Sequence, residues 1–167
     1  MRRFRPADAL EIQDLKARYF RFVDGKQWTR LRELFTEDCR FEGLWAAAPT
    51  PDDFVANLAR NFDGALRSVH RGFPPELRRT ADDVVRGLWP MVDYLTWPPE
   101  EGRTYLGVAV PGQRGMLGCG YYEEEYRSTD AGWRISYLRL VRQRLDPIVG
   151  PAPEVDFPFL PPDPDWL

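Results

Sequence analysis

The chain has 167 residues, with 23 Lys and Arg against 26 Asp and Glu, for a formal net charge of -3. Its length fits one domain. The 43% apolar content supports a packed core, and the acidic balance excludes the basic footprint of a nucleic-acid binder. Aromatic residues are abundant (6 Trp, 7 Tyr and 10 Phe) but there is one histidine, so any imidazole base must be His70 and multi-histidine metal sites are excluded.

The two cysteines, Cys39 and Cys119, form no C-x-x-C pair and are too few for a disulfide framework. A reduced, cytoplasmic protein is the expectation. The basic start, Met1-Arg2-Arg3-Phe4-Arg5-Pro6, has no apolar stretch after it to make a signal peptide. Nor does any run of about 18 apolar residues predict a membrane span.

In chain order, Asp8 and Glu11 form a D-x-x-E pair resembling a capping box, and Ile12, Leu15, Tyr19 and Phe22 then mark one helical face. Gly25 ends this helix near residue 24. A second, short helix carries Trp28, Leu31, Leu34 and Phe35 on its inner side, and Cys39–Leu44 reads as a strand. Thr50 suits an N-cap and Pro51 a first helical position for a third helix, with Phe54, Leu58 and Phe62 at spacing four. From about residue 66 the period becomes two. Val84–Trp97 is a long strand in which Pro90 implies a bulge or an edge position. Arg103–Val110, Leu117–Arg127 and Trp133–Arg144 are further strands, the last two joined by a turn at Asp130-Ala131-Gly132.

Three helices followed by four or more antiparallel strands predict an α+β fold. A strongly bent sheet wrapped round a helix would leave a cone-shaped hollow lined by the aromatic surplus. Residues 1–146 form the expected domain. Residues 147–167 carry seven prolines but also large apolar groups such as Phe157, Phe159 and Trp166. They predict an extended arm lying on the domain or on a partner subunit.

Asp24 sits at the C-terminus of the first helix, where a carboxylate faces the negative end of the dipole and needs compensation. His70 precedes or opens a strand. If the two met, the carboxylate would fix the imidazole tautomer and leave the other ring nitrogen to remove a proton. A turn carboxylate and a surface or satisfied core histidine are the plainer alternatives. In Gly118–Arg127, alternation places Tyr122, Glu124 and Tyr126 on one face and Glu123, Glu125 and Arg127 on the other. Glu124 is then an inward carboxylate, either a proton donor to a ligand or the partner of an arginine on the next strand. Arg134, Arg139, Arg142 and Arg144 read as a solvated row or as ion-pair partners for that acidic strand. P-loop, dinucleotide, nucleophile-elbow and zinc-protease motifs are absent.

The run Ile12–Tyr19 into Val23-Asp24-Gly25-Lys26-Gln27-Trp28, then Ser68–Gly72, Gly87–Asp93, Gly120-Tyr121-Tyr122 and Gly132–Ile135, resembles SnoaL-like proteins. These belong to the nuclear-transport-factor-2-like, or cystatin-like, superfamily. The likeness covers roughly residues 8–145. Within that superfamily the chain resembles the branch of scytalone dehydratase, bile acid 7α-dehydratase and hexachlorocyclohexane dehydrochlorinase. The resemblance implies a cone-shaped α+β barrel with N-terminal helices on a strongly curved, mostly antiparallel sheet. It also implies cofactor-free elimination from a hydrophobic cyclic metabolite. Isomerisation or polyketide-type cyclisation by the same residues, or ligand binding without chemistry, are the other functions it allows. His70, Asp24 and Tyr19 are the implied catalytic residues, and Phe20, Trp28, Trp89, Met91, Tyr122 and Glu124 the implied substrate contacts. No metal is implied, and a homodimer or higher homo-oligomer is. Where the dehydrochlorinase has an arginine on the last strand, this chain has Leu138 beside Arg139, which argues against dehalogenation.

Overall fold

The computed structural model describes residues 5–44, 46–62, 64–98, 103, 110–152, 160, 163 and 166. The first helix, α1, spans Pro6–Asp24. Asp8 is its third residue rather than its cap. The Asp8 carboxylate accepts from the Arg5 backbone N–H at 3.2 Å and from the Arg5 guanidinium at 2.7 Å. Ile12, Leu15, Tyr19 and Phe22 are buried as their spacing predicts, joined by Lys16, Phe20 and Val23. The Gly25 N–H returns to the Arg21 carbonyl, and the left-handed turn residue is Lys26, at φ 54°.

Helix α2, Trp28–Arg32, is shorter than expected. Phe35, expected on its inner side, instead opens the first strand, β1, at Phe35–Glu42, four residues before the expected start at Cys39. Phenylalanine packs as well on a pleated face as on a helix, so the apolar spacing did not distinguish the two. Helix α3, Pro51–Asn61, starts as predicted: the Thr50 hydroxyl accepts from the Asp53 N–H.

Five more strands follow: β2 (Arg67–Gly72), β3 (Glu76–Ala81), β4 (Val84–Thr96), β5 (Gln113–Thr129) and β6 (Gly132–Val149). The sheet order is β1-β6-β5-β4-β2, with β3 also on β4. Among the described residues only β1–β6 is parallel. This is the expected α+β architecture, with helices on a curved, mostly antiparallel six-stranded sheet. His70 sits within β2 rather than opening it. The charged stretch of β3 gave no strand signal. The expected strand at Arg103–Val110 lies, except for its two ends, outside the described residues.

Pro90 is neither at a bulge of the β4–β5 ladder nor on an edge strand. Its missing N–H points to the side where β2 pairing ends at Gly72↔Met91 and β3 pairing begins at Glu76↔Leu88. There is little ladder there for a proline to interrupt. β6 runs through Pro147 to Val149, opposite β5, past the expected boundary after residue 146. Most of the remaining Pro-rich arm lies outside the described residues.

The β5–β6 register slips at Glu125/Tyr126 and at Cys119/Gly120, leaving Ser136 and Gln143 as extra residues. Such bulges bend long strands and re-aim side chains. Between them, Leu138, Leu140 and Arg142 share one face. Trp89, Met91 and Asp93 of β4, in line with them across β5, lie on that same face, and all of these except Arg142 are buried. These strands and the inner stripe of α1 enclose the core.

Candidate active site

Val23 is 2% exposed and seats the last turn of α1 in the core, which fixes Asp24 beside β2. The carboxylate that the helix dipole disfavours is compensated four ways. The Ser68 hydroxyl donates to Oδ1 at 2.9 Å, the His70 backbone N–H to Oδ2 at 2.8 Å, and His70 Nδ1 to Oδ1 at 2.7 Å. The Arg71 guanidinium stands 3.5 Å from Oδ2. A carboxylate only accepts, so Nδ1 carries a proton, and in the neutral ring Nε2 keeps the lone pair. The His70 ring is further fixed by stacking on Phe20 (centroids 6.4 Å, 12°) and on Phe62 (6.1 Å, 21°). Asp24 and His70, 46 residues apart, are thus brought together. They lie on the wall of a groove of about 770 Å³ between α1 and β2, with Phe20, Gly72 and Trp89. A Cβ at Gly72 would fall 2.6 Å from Phe20 Cε2, so a side chain there would push Phe20 off β2.

The other expected residues form a layer behind Phe20. The Tyr19 ring packs edge-on against Phe20 (5.6 Å) and Tyr122 (5.8 Å). Burial raises both phenols far above their usual range, so both stay protonated at neutral pH. Glu124 is buried as predicted, but its partner is not an arginine of the next strand: Lys16 of α1 lies 2.6 Å from Oε1, and the Tyr126 hydroxyl donates to Oε2. Trp89 Nε1 donates in turn to the Tyr126 oxygen at 2.7 Å. The Lys16 ammonium lies 3.6 Å above the Tyr122 ring centroid and 4.1 Å above that of Tyr19. Burial pushes Lys16 down to about 8 against the pull of Glu124. Trp28 meets Phe62 edge-on at 6.5 Å, one ring away from His70.

Two residues that the sequence reading left out of the site stand beside His70. Asp93 Oδ2 is 4.0 Å from Nε2, and the Asp93 carboxylate is held bidentate by Arg142, Nη1 at 2.8 Å and Nη2 at 2.5 Å. Met91 Sδ lies 4.0 Å from the same Nη1. Arg142 therefore leaves the solvated row in which it was expected. Alternation from Trp89 and Met91 points to Asp93 as the next inward residue of β4, and that signal was available.

Among the described residues, no helix is long and apolar enough to cross a membrane. The chain is similar to "Probable cyclase FGR4" of Gibberella zeae, at 24% identity over 152 residues, 82% of this chain and 92% of that protein. Its fold matches the crystal structure of hexachlorocyclohexane dehydrochlorinase LinA type 2 with TM-score 0.69 at 22% identity, covering 93% and 95% of the two chains. It also matches a scytalone dehydratase-like protein of Novosphingobium aromaticivorans, TM-score 0.68 at 14% identity, over 87% and 91%. The model of the SnoaL-like domain matches residues 5–139, and the chain belongs to the SnoaL-like domain family.

Proposed function

We propose that the protein is a cofactor-independent lyase that removes water from a hydrophobic cyclic metabolite. The observation that carries this reading is the Asp24 Oδ1–His70 Nδ1 contact of 2.7 Å, which leaves the opposite ring nitrogen basic. His70 Nε2 takes a proton from a carbon next to a carbonyl, and its imidazolium is stabilised by the Asp24 carboxylate. The electron pair left on carbon moves into an enolate. Its collapse expels a β-hydroxyl, which leaves as water with the proton returned by Nε2. The cycle balances on the substrate's own proton and hydroxyl. Tyr19 and Tyr122, kept protonated by burial, back the Phe20 wall of the groove. Glu124 is committed to Lys16 and Tyr126 and supports the wall behind them.

A second reading is favoured by the cyclase named among the relatives. Here the same base relays the proton within the substrate and the product keeps its mass. Turnover of a panel of cyclic β-hydroxyketones, followed by mass spectrometry, separates the two: dehydration loses one water, and cyclisation or isomerisation does not. His70→Ala and Asp24→Asn should each slow the reaction by about 10²–10⁴-fold. Unchanged turnover in both variants rejects the proton-abstraction reading. Binding of the panel without any product would mark a binding domain instead.

A further inference from the structure

Asp24 is held chiefly by one strand. Among the described residues β2 pairs with β4 alone and forms the edge of the sheet. The Phe73 N–H donates to the Pro90 carbonyl of β4, so by alternation the His70 N–H points to the unpaired side. There the last turn of α1 supplies a carboxylate in place of a strand, and the His70 N–H donates to Asp24 Oδ2 at 2.8 Å. Residues two apart share a face. Ser68 and His70 therefore lean to the same side, and both reach Asp24 Oδ1, the hydroxyl at 2.9 Å and Nδ1 at 2.7 Å.

The acceptor sites of Asp24 can be counted. An ionised carboxylate offers about four lone-pair directions, two on each oxygen. Ser68 and Nδ1 take both on Oδ1, and the His70 N–H takes one on Oδ2. The direction that remains is on the oxygen nearest Arg71. Arg71 Nη1 stands 3.5 Å from Oδ2, longer than a charge-assisted hydrogen bond, and donates to the His70 carbonyl at 2.7 Å.

Arg71 is thus a rival for Asp24. Its side chain is 68% exposed, permanently charged and shaped to take a carboxylate with two parallel bonds. A shift of less than about 1 Å brings Nη1 into bonding range of Oδ2. Turning the carboxylate into that fork takes Oδ1 away from Nδ1. Against a guanidinium the neutral imidazole alone is the weaker donor. The Ser68 hydroxyl opposes the turn, because it ties Oδ1 to the strand that carries the imidazole. The other groups around the ring lack this bond. Phe20 and Phe62 stack on its faces, and Asp93, held by Arg142, stands 4.0 Å from the opposite nitrogen.

We propose that Ser68 is a positioning residue, whose hydroxyl keeps Asp24 bonded to His70 Nδ1 and out of a bidentate pair with Arg71. It acts on the reaction only through Asp24, and its role in turnover rests on the reading of His70 as the base.

His70 is the chain's single histidine, so isotopically labelled histidine gives one imidazole by nitrogen NMR, with no substrate present. At a pH where the ring is neutral, the folded wild type should carry the proton on Nδ1. In Ser68→Ala the share of rings with the proton on Nε2 should rise at least about threefold. Ser68→Thr keeps the hydroxyl on a strand-favouring residue and should stay within about twofold of the wild type. Ser68→Ala/Arg71→Gln removes the rival together with the tie and should recover most of the Nδ1 form, which plain loosening of the site would not. With a cyclic β-hydroxyketone that the wild type converts, Ser68→Ala should lower kcat about tenfold and leave KM within about twofold, with the same pattern of recovery. An unchanged tautomer in Ser68→Ala, or a loss that Arg71→Gln does not recover, overturns the proposal. An unchanged Ser68→Ala beside a slow His70→Ala rejects Ser68 and keeps the base. A wild-type ring without the Nδ1 proton rejects the base reading and the proposal with it. In a chain that converts none of the panel, the NMR comparison decides alone.

Discussion

Glu123 and Glu124 are neighbours on β5 with the same carboxylate and opposite surroundings. The Glu123 side chain, 44% exposed, meets Arg139 at 3.2 Å on the outer face of the sheet. That of Glu124 has no exposure and meets Lys16 at 2.6 Å inside. Outer pairs such as Arg86–Glu125 and Arg127–Asp38 resemble the first, and Asp93–Arg142 resembles the second. Their titration is governed by different causes. The hydrogen bond from Arg127 leads in holding the Asp38 carboxyl below its usual range, whereas burial leads in pushing Lys16 down to about 8. Outside, a partner adds a little to a charge that water already stabilises. Inside, the partner offsets a desolvation cost that would otherwise be prohibitive. A buried pair is therefore a poor source of stability but a demanding one to break, and this sheet keeps such pairs on the face that borders the site.

The largest effect should come from breaking the inner pair on one side only. Lys16→Met leaves the Glu124 carboxylate buried with no cation and should cost about 3–5 kcal/mol in urea unfolding at neutral pH, whereas Lys16→Met/Glu124→Leu should recover most of that. A single-variant cost below about 1 kcal/mol would mean that water reaches the pair, and the contrast between the faces would collapse. The pH dependence has a definite sign. Lys16 has a lower pKa folded than unfolded, so between about 8 and 10.5 the unfolded chain binds more protons, and this group makes stability rise with pH. The difference between wild type and the double variant should shift in favour of the wild type across that window. The raised Tyr19 and Tyr126 act in the opposite direction at higher pH, above the usual phenol range of about 10.

Tyr126→Phe should have the next largest effect. It removes a donor from Glu124 and the acceptor of Trp89 Nε1, which leaves polar groups buried without that partner. A loss of about 1–3 kcal/mol is expected. Tyr137→Phe, on the outer side of β6 beside Glu42, should stay within about 0.5 kcal/mol. Equal losses at the two tyrosines would remove the distinction between the faces.

The inner face of β5 was legible because strand alternation is strict: Tyr122, Glu124 and Tyr126 fall inward on their spacing alone. The helix ends near Asp24 and Thr50 were legible because capping chemistry is local. The likeness to relatives supplied what spacing could not, the approach of Asp24 to His70 across 46 residues. Contacts that depend on registers between distant segments stayed hidden. Lys16 reads as one more polar residue on a helix until the curved sheet closes over it. Arg142 reads as part of a basic row because the slip that leaves Gln143 as an extra residue has no sequence mark. Phe35 could end a helix or begin a strand, and only its pairing with Ile135 of β6 decides.

The smallest effect should come from the outer pair, and its smallness is informative. Glu123→Gln removes the carboxylate that faces Arg139 at 3.2 Å, but both side chains keep close to half their exposure. Water replaces the lost partner, and two long side chains regain rotamer freedom. The expected cost is about 0.2–1 kcal/mol at low salt. It should vanish in about 1 M salt, where the screening length of about 3 Å is no longer than the pair itself. The cost of Lys16→Met should survive the same salt, because ions do not enter a site with no exposure. A Glu123 effect that persisted at high salt would place this pair in a region shielded from solvent. Since the isolated chain exposes it, the shield would have to be another molecule covering the outer face of the sheet.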